Sequence, residues 1–170
     1  MWPIGHVAVA YLAYAGTRRA RSLQPLHGTL VLTVCFAGLV PDLIDKPLSW
    51  QAGLLPTGRS LAHSLLVLVP VCLLGYLLAR RRGRGEFGVA FAVGTISHPL
   101  VDALPSLWRA GDASFLLWPY LSVEPYEGSS PEVIELLTSA AAEPYFLSEF
   151  VLFALALGIW RLDGSPGLPE

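Results

Sequence analysis

The sequence predicts an all-α fold, an integral membrane helical bundle of about five transmembrane helices with a long outer loop. Apolar residues make up 54% of the 170 residues and charged residues only 14%, whereas soluble domains carry about 25% charged residues. The apolar residues are gathered into five runs, and arginines follow every second run. We expect one membrane-embedded domain over residues 1–162 and a disordered tail over 163–170.

The five apolar runs cover residues 2–16, 28–48, 61–79, 87–108 and 145–160. A spanning helix needs roughly 20 apolar residues, with about 17 as the lower end. The second, third and fourth runs meet this length. The first and fifth are short and would need local thinning of the bilayer. Each run alone could be a buried helix of a soluble protein, but five in one small chain favour a membrane bundle.

The basic residues predict the orientation of the bundle. Eight of the eleven lysines and arginines fall on one side if the chain alternates across the bilayer. They are Arg18, Arg19, Arg21, Arg80, Arg81, Arg82, Arg84 and Arg161. The positive-inside rule makes that side cytoplasmic. We therefore expect a multi-pass protein of the cell membrane with an outer N-terminus and a cytoplasmic C-terminus. The outer connection includes residues 131–142, whose start favours a short interfacial or lid helix.

Six ionisable residues interrupt the apolar runs, all in the half of the bundle that we expect to face outward. They are His6, Asp42, Asp45, His63, His98 and Asp102. Ionisable residues inside membrane segments usually face the bundle interior and are functional. Scattered structural residues would have no reason to share one level. We therefore expect these six side chains to form one site near the outer surface.

The spacing and chemistry of these residues favour a metal site. His98 and Asp102 are four residues apart, and Asp42 and Asp45 are three apart, so each pair shares a helix face. Imidazole and carboxylate ligands suit zinc, iron or manganese. A catalytic zinc site uses three protein ligands and keeps one open position. We expect a divalent metal, with zinc first and manganese or iron as alternatives.

Four residues are candidates for catalytic roles. Asp45, Asp42 or Glu149 could accept a proton, and Arg59 could bind a phosphate or carboxylate with two parallel hydrogen bonds. Purely structural roles stay open for these carboxylates and for Arg59. Glu149 could pair with Arg59, and Asp42 or Asp45 could cap a helix or pair with Lys46 or Arg59.

The histidines have structural alternatives as well. His6 could lie at a helix end at the interface, and His63 could join a hydrogen bond between helices. His98 could be a neutral imidazole held by Asp102.

Five motifs in order resemble the membrane-bound metal-dependent hydrolase family, also known as the YdjM group. The motifs are MWPIGH (1–6), VPDLIDKPL (40–48), GRSLAHSLL (58–66), SHPLVDAL (97–104) and FLLWPY (115–120). The resemblance implies metal ligands at the family's polar positions, which here are His6, Asp42, His63, His98 and Asp102. Many members have a histidine where this chain has Gly58. The step from His98 to Asp102 is also similar to that of zinc-dependent phospholipases C and P1-type nucleases, a fold-level analogy.

The leading functional hypothesis is a membrane-embedded metal-dependent hydrolase with an outward-facing site, acting on a phosphoester or a lipid-linked substrate. One alternative is a non-enzymatic membrane protein, either a metal-binding sensor or carrier or a scaffold. Another is a transporter, which would need polar groups continuing to the inner face, where the first, third and fourth runs have few. The net charge of −2 provides no basic field for nucleic acid. The expected partner is the lipid bilayer.

Overall fold

A computed structural model describes residues 1–107, 112–125 and 144–168. These residues form six α-helices with short 3₁₀ and π turns and contain no β-strand. The helices are α1 (Pro3–Ala20), α2 (Gly28–Ala37), α3 (Val40–Lys46), α4 (Leu65–Arg81), α5 (Gly85–Ala103) and α6 (Pro144–Leu162). The predicted all-α fold is therefore confirmed. The predicted lid helix at 131–142 lies outside the described residues.

The second apolar run is a broken helix. α2 ends at Ala37, and α3 begins at Val40 with Pro41 in its first turn. Pro47 then starts a π-helical turn, Pro47–Gln51. Prolines interrupt the helical hydrogen-bond ladder because they lack a backbone N–H. The breaks place Asp42 and Asp45 on a short separate helix next to the loop 52–64, which carries His63.

Helix α5 is the centre of the bundle, since it packs against α1, α2 and α4. Small residues allow the close approach. A Cβ atom added to Gly94 would lie 2.7 Å from the carbonyl oxygen of Val34, and one added to Gly38 would lie 2.8 Å from Cβ of Ala10. Small side chains at helix contacts are typical of membrane bundles. They bring the end of α5, with His98 and Asp102, close to α1 and to the junction of α2 and α3.

The arginine-rich ends of the helices lie together at the opposite end of the bundle. Arg18 at the end of α1 pairs with Glu86 at the start of α5, with 3.0 Å between Nη1 and Oε2. Arg19 pairs with Asp163, just after α6, at 2.7 Å. The chain after α6 forms turns over residues 163–168, where the Trp160 indole donates to the carbonyl of Pro166.

Two helical stretches, Gly28–Gln51 and Gly85–Leu107, are long and apolar enough to cross a membrane. The other three predicted spans correspond to α1, α4 and α6, of 18, 17 and 19 residues. Helices α4 and α6 present many exposed apolar side chains to the outside, among them Val69, Leu73, Leu74, Phe150, Val151 and Leu155. Exposed apolar surface of this extent is typical of a protein in contact with lipid.

The close approach at Gly94 generates a stability prediction. We expect Gly94→Ala to lower the free energy of unfolding by about 1–3 kcal/mol, because the new methyl group would overlap the α2 backbone. Gly75→Ala is the matched control, since nothing lies within 4 Å of its added Cβ. In that helix position alanine should stabilise the protein by about 0.5–1 kcal/mol. Thermal unfolding in detergent checks both variants, and equal midpoints would contradict the proposed helix contact.

Candidate metal centre

Asp45 fastens the loop 52–64 to helix α3. Its carboxylate is fully buried and accepts three hydrogen bonds, each 2.8 Å long. Oδ1 accepts the backbone N–H of Ala62, and Oδ2 accepts the backbone N–H of Ser60 and faces Nδ1 of His63. A carboxylate that accepts several N–H groups makes strong, charge-assisted bonds. Asp45 therefore fixes both the path of the loop and the orientation of the His63 ring.

His63 and His98 both turn Nε2 into the site. Nδ1 of His63 faces the carboxylate of Asp45, and Nδ1 of His98 lies 2.6 Å from the carbonyl oxygen of Gly38. A carbonyl and an ionised carboxylate can only accept, so each Nδ1 must carry the proton. In the neutral form of each ring, Nε2 then carries a lone pair. The two Nε2 atoms face each other at 3.1 Å, an arrangement that a shared cation would stabilise.

Asp42 completes a triangle with these two imidazoles. Its Oδ1 lies 3.6 Å from Nε2 of His63 and 3.6 Å from Nε2 of His98. With 3.1 Å between the two nitrogens, one point lies about 2 Å from all three atoms, which is the bonding distance of zinc to nitrogen and oxygen ligands. The other oxygen of Asp42 accepts from Lys46 at 2.5 Å. These three residues are therefore positioned to hold a metal ion.

A second group shares His98 and consists of His6, His98 and Asp102. The His6 ring stacks on the His98 ring, with centroids 3.5 Å apart and planes 11° apart. Nε2 of His6 lies 3.4 Å from Oδ1 of Asp102 and 3.2 Å from the carbonyl oxygen of Met1. Among the described residues, its buried Nδ1 has no hydrogen-bond partner. The structure thus brings all five predicted ligands into one cluster, in which four residues are buried and Asp42 is partly exposed.

Two cations line the accessible side of this cluster. Nε of Arg59 lies 2.8 Å from Oδ2 of Asp102, while 48% of its side chain is exposed. The ammonium group of Lys46 lies on Asp42 and is about one-third exposed. Asp102 also accepts from the amino group of Met1 at 2.8 Å. Exposed guanidinium and ammonium groups beside a buried ligand set can bind an anion that enters the site.

Glu149 of α6 lies at the start of α1. Its carboxylate is buried, and its two oxygens accept backbone N–H groups from Trp2 at 2.8 Å and Gly5 at 3.2 Å. The first N–H groups of a helix have no partner inside the helix, and a negative charge there is favourable. Glu149 therefore caps α1 from a neighbouring helix and fixes the turn that carries His6. Arg59 pairs with Asp102 instead.

The model of the YdjM inner membrane protein family matches residues 1–163. This chain belongs to the YdjM inner membrane protein family. No curated protein and no solved structure matches it. Membership confirms the resemblance seen in the five motifs and supports association with a lipid bilayer, in agreement with the exposed apolar faces of α4 and α6.

Two groups that contact the ligand histidines of this YdjM protein were not predicted from the sequence. The carbonyl of Gly38 sets the tautomer of His98, and a backbone acceptor leaves no signal in side-chain patterns. The Phe115 ring packs edge-on against His63, with centroids 6.2 Å apart. Phe115 belongs to the fifth motif, FLLWPY, which was the available signal for its place near the site.

The three hydrogen bonds of Asp45 generate a second stability prediction. We expect Asp45→Asn to lower the free energy of unfolding by about 1–3 kcal/mol, because an amide NH₂ would face a buried N–H donor. Asp42→Asn is the matched control on the same helix and removes a partly exposed ion pair worth about 0–1 kcal/mol. Thermal unfolding with a chelator present measures the protein contacts alone. Equal losses in the two variants would argue against the role given to Asp45.

Proposed function

We propose that this chain is a membrane-embedded metal-dependent hydrolase whose ion is held by Asp42, His63 and His98. The observation that carries the proposal is the pair of facing Nε2 atoms, 3.1 Å apart, with Oδ1 of Asp42 at 3.6 Å from each. Two imidazoles and a carboxylate match the ligands of catalytic zinc sites, and manganese or iron are the alternatives. Such an ion would supply Lewis acidity to a bound substrate oxygen.

The roles that we assign to the carboxylates follow from the hydrogen bonds that each one already makes. Asp45 and Glu149 accept N–H groups on both oxygens, so we assign them positioning roles rather than proton transfer. Asp45 orients His63, and Glu149 positions the start of α1. Oδ2 of Asp102 lies 3.9 Å from Nε2 of His63. Both oxygens of Asp102 also accept, from the amino group of Met1 and from Arg59. Arg59, however, is a half-exposed side chain rather than a fixed backbone group, so we assign Oδ2 of Asp102 to accept a hydrogen bond from an attacking water.

The cations beside the site favour an anionic substrate. Arg59 uses Nε to hold Asp102, and its exposed guanidinium can donate further hydrogen bonds to a phosphate. Lys46 adds a second positive charge. Exposed apolar side chains surround the same end of the bundle, including Leu54, Leu107 and Tyr120. A phosphate head with an apolar tail would contact both, so a lipid-linked phosphoester is the substrate class that we propose.

The proposed placement in the membrane follows from the two ends of the bundle. Five helical spans cross the bilayer, with the site and the N-terminus outside and the C-terminus in the cytoplasm. The arginine-rich end, held together by pairs such as Arg18 with Glu86 and Arg19 with Asp163, supports this orientation through the positive-inside rule.

Metal content tests the ligand set. We expect His63→Ala and His98→Ala to lose at least about tenfold in metal affinity, a loss seen even for the residues that only support ligands. His27→Ala is the matched control, because His27 is exposed and bonded to Thr29 away from the cluster. Elemental analysis of the purified proteins gives the metal identity and ratio. Unchanged metal in His98→Ala would reject the site, while bound metal without turnover of a phosphodiester panel would favour a non-enzymatic metal-binding protein.

Kinetics test the role of Arg59. We expect Arg59→Gln to lower kcat/KM for a phosphodiester by about 10–100-fold, the value of one or two charge-assisted hydrogen bonds. Most of the change should appear in KM, and metal content should stay at the wild-type level. Arg81→Gln removes the same charge at the other end of the bundle and serves as the control. A loss confined to kcat, or a loss of metal, would show that Arg59 acts through Asp102 instead.

A further inference from the structure

A basic pocket lies at the end of the bundle opposite the metal centre. It has a volume of about 340 Å³ and is formed where α4 ends and α5 begins, against the end of α1. Arg21, Arg80 and Arg84 line it together with Tyr76, Glu86 and Phe87. None of these residues belongs to the proposed hydrolytic site. The role of this pocket is therefore independent of the proposed hydrolysis.

The charge of the pocket is positive because its carboxylate is already shared. Among the described residues, Glu86 is the one acidic side chain in the lining. Its Oε1 pairs with Arg21 at 2.8 Å, and its Oε2 pairs with Arg18 at 3.0 Å. Within the part of the chain that the structure describes, no ion pair is found for Arg80 or Arg84. Two guanidinium groups of the pocket are therefore available to an anion.

The backbone holds these two arginines on one rigid turn. Gly83 adopts φ +70° between α4 and α5, a conformation that glycine reaches without strain. The N–H of Arg84 bonds to the carbonyl of Ala79 at 2.8 Å, and that of Gly83 bonds to the carbonyl of Arg80 at 3.0 Å. This is a typical helix C-terminal cap. The turn keeps Arg80 and Arg84 in the lining of the same pocket.

We propose that this pocket binds the phosphate of an anionic phospholipid headgroup. Guanidinium groups bind phosphate with two parallel hydrogen bonds, and basic pockets between membrane helices bind anionic lipid headgroups. Exposed apolar residues continue along α4 from the pocket, including Leu77, Leu74 and Leu73. They offer a path for the acyl chains, which a free phosphate would not use. The pocket thus joins a headgroup site to an apolar helix face.

Retention of lipid by the full-length protein tests this proposal. The protein is placed in nanodiscs of phosphatidylcholine with a minor fraction of phosphatidylglycerol. The protein is then released from the nanodiscs in the mass spectrometer, and native mass spectrometry identifies the lipids that stay bound to it. We expect the wild type to retain phosphatidylglycerol preferentially. The double variant Arg80→Gln with Arg84→Gln should bind it about tenfold more weakly, since both available guanidinium groups are lost.

A matched double variant separates the pocket from general surface charge. Arg81→Gln with Arg82→Gln removes two arginines of the same segment that do not line the pocket, and it should retain phosphatidylglycerol as the wild type does. Equal losses in both double variants would overturn the proposal, because they would show a non-specific effect of basic charge. Displacement of the lipid by inorganic phosphate alone would also overturn it in favour of a soluble anion site. Circular dichroism of each variant confirms that the helices are intact.

Discussion

The Nε2 atoms of two imidazoles face each other across 3.1 Å in the interior of this bundle, and the rest of the site is arranged around that contact. Neither ring can turn away, because Asp45 holds one Nδ1 and the Gly38 carbonyl holds the other. Lone pairs in such an arrangement repel unless a positive charge lies between them. The partly exposed carboxylate of Asp42 adds negative charge to the same point. The fold therefore places three electron-rich atoms, two Nε2 and Oδ1 of Asp42, around one point. A divalent cation at that point would remove the repulsion between them.

Helices α1 and α5 carry different polar groups at their two ends. At one end, an ion pair between Arg18 and Glu86 joins α1 to α5. Arg80 and Arg84 lie beside this pair in the basic pocket. At the other end, α1 and α5 contribute His6 and His98, stacked at 3.5 Å. Between the ends, α1, α2 and α5 meet through small residues such as Gly94. Tight packing in the middle fixes the relative positions of both charged ends, so the candidate metal site and the basic pocket are held by the same helices.

The sequence predicts the helical class, the membrane family and the grouping of the polar residues at one level, because each of these follows from hydrophobic patterns and short motifs. It cannot predict partners that are far apart in the chain. Arg59 pairs with Asp102 and Glu149 bonds to the start of α1, and neither contact has a local signal. Pro41 predicts the break between α2 and α3. Nothing in the sequence predicts that the carbonyl of Gly38 bonds to Nδ1 of His98. Ligand types are thus visible in the sequence, whereas the hydrogen bonds that orient them emerge only from packing.

The surroundings of Gly58 bear on how many ions the site can hold. A Cβ at Gly58 would lie 3.2 Å from Nε1 of Trp50 and 3.4 Å from Cγ of Lys46, so these two side chains already occupy the space beside it. Lys46 fixes Oδ2 of Asp42, and Arg59 fixes Oδ2 of Asp102. Protein cations therefore balance the carboxylates on both sides of the imidazole pair. A second divalent ion between His6 and Oδ1 of Asp102 would have to displace the amino group of Met1, whereas an ion between His63, His98 and Asp42 displaces no protein group. Charge balance favours a single ion in this chain.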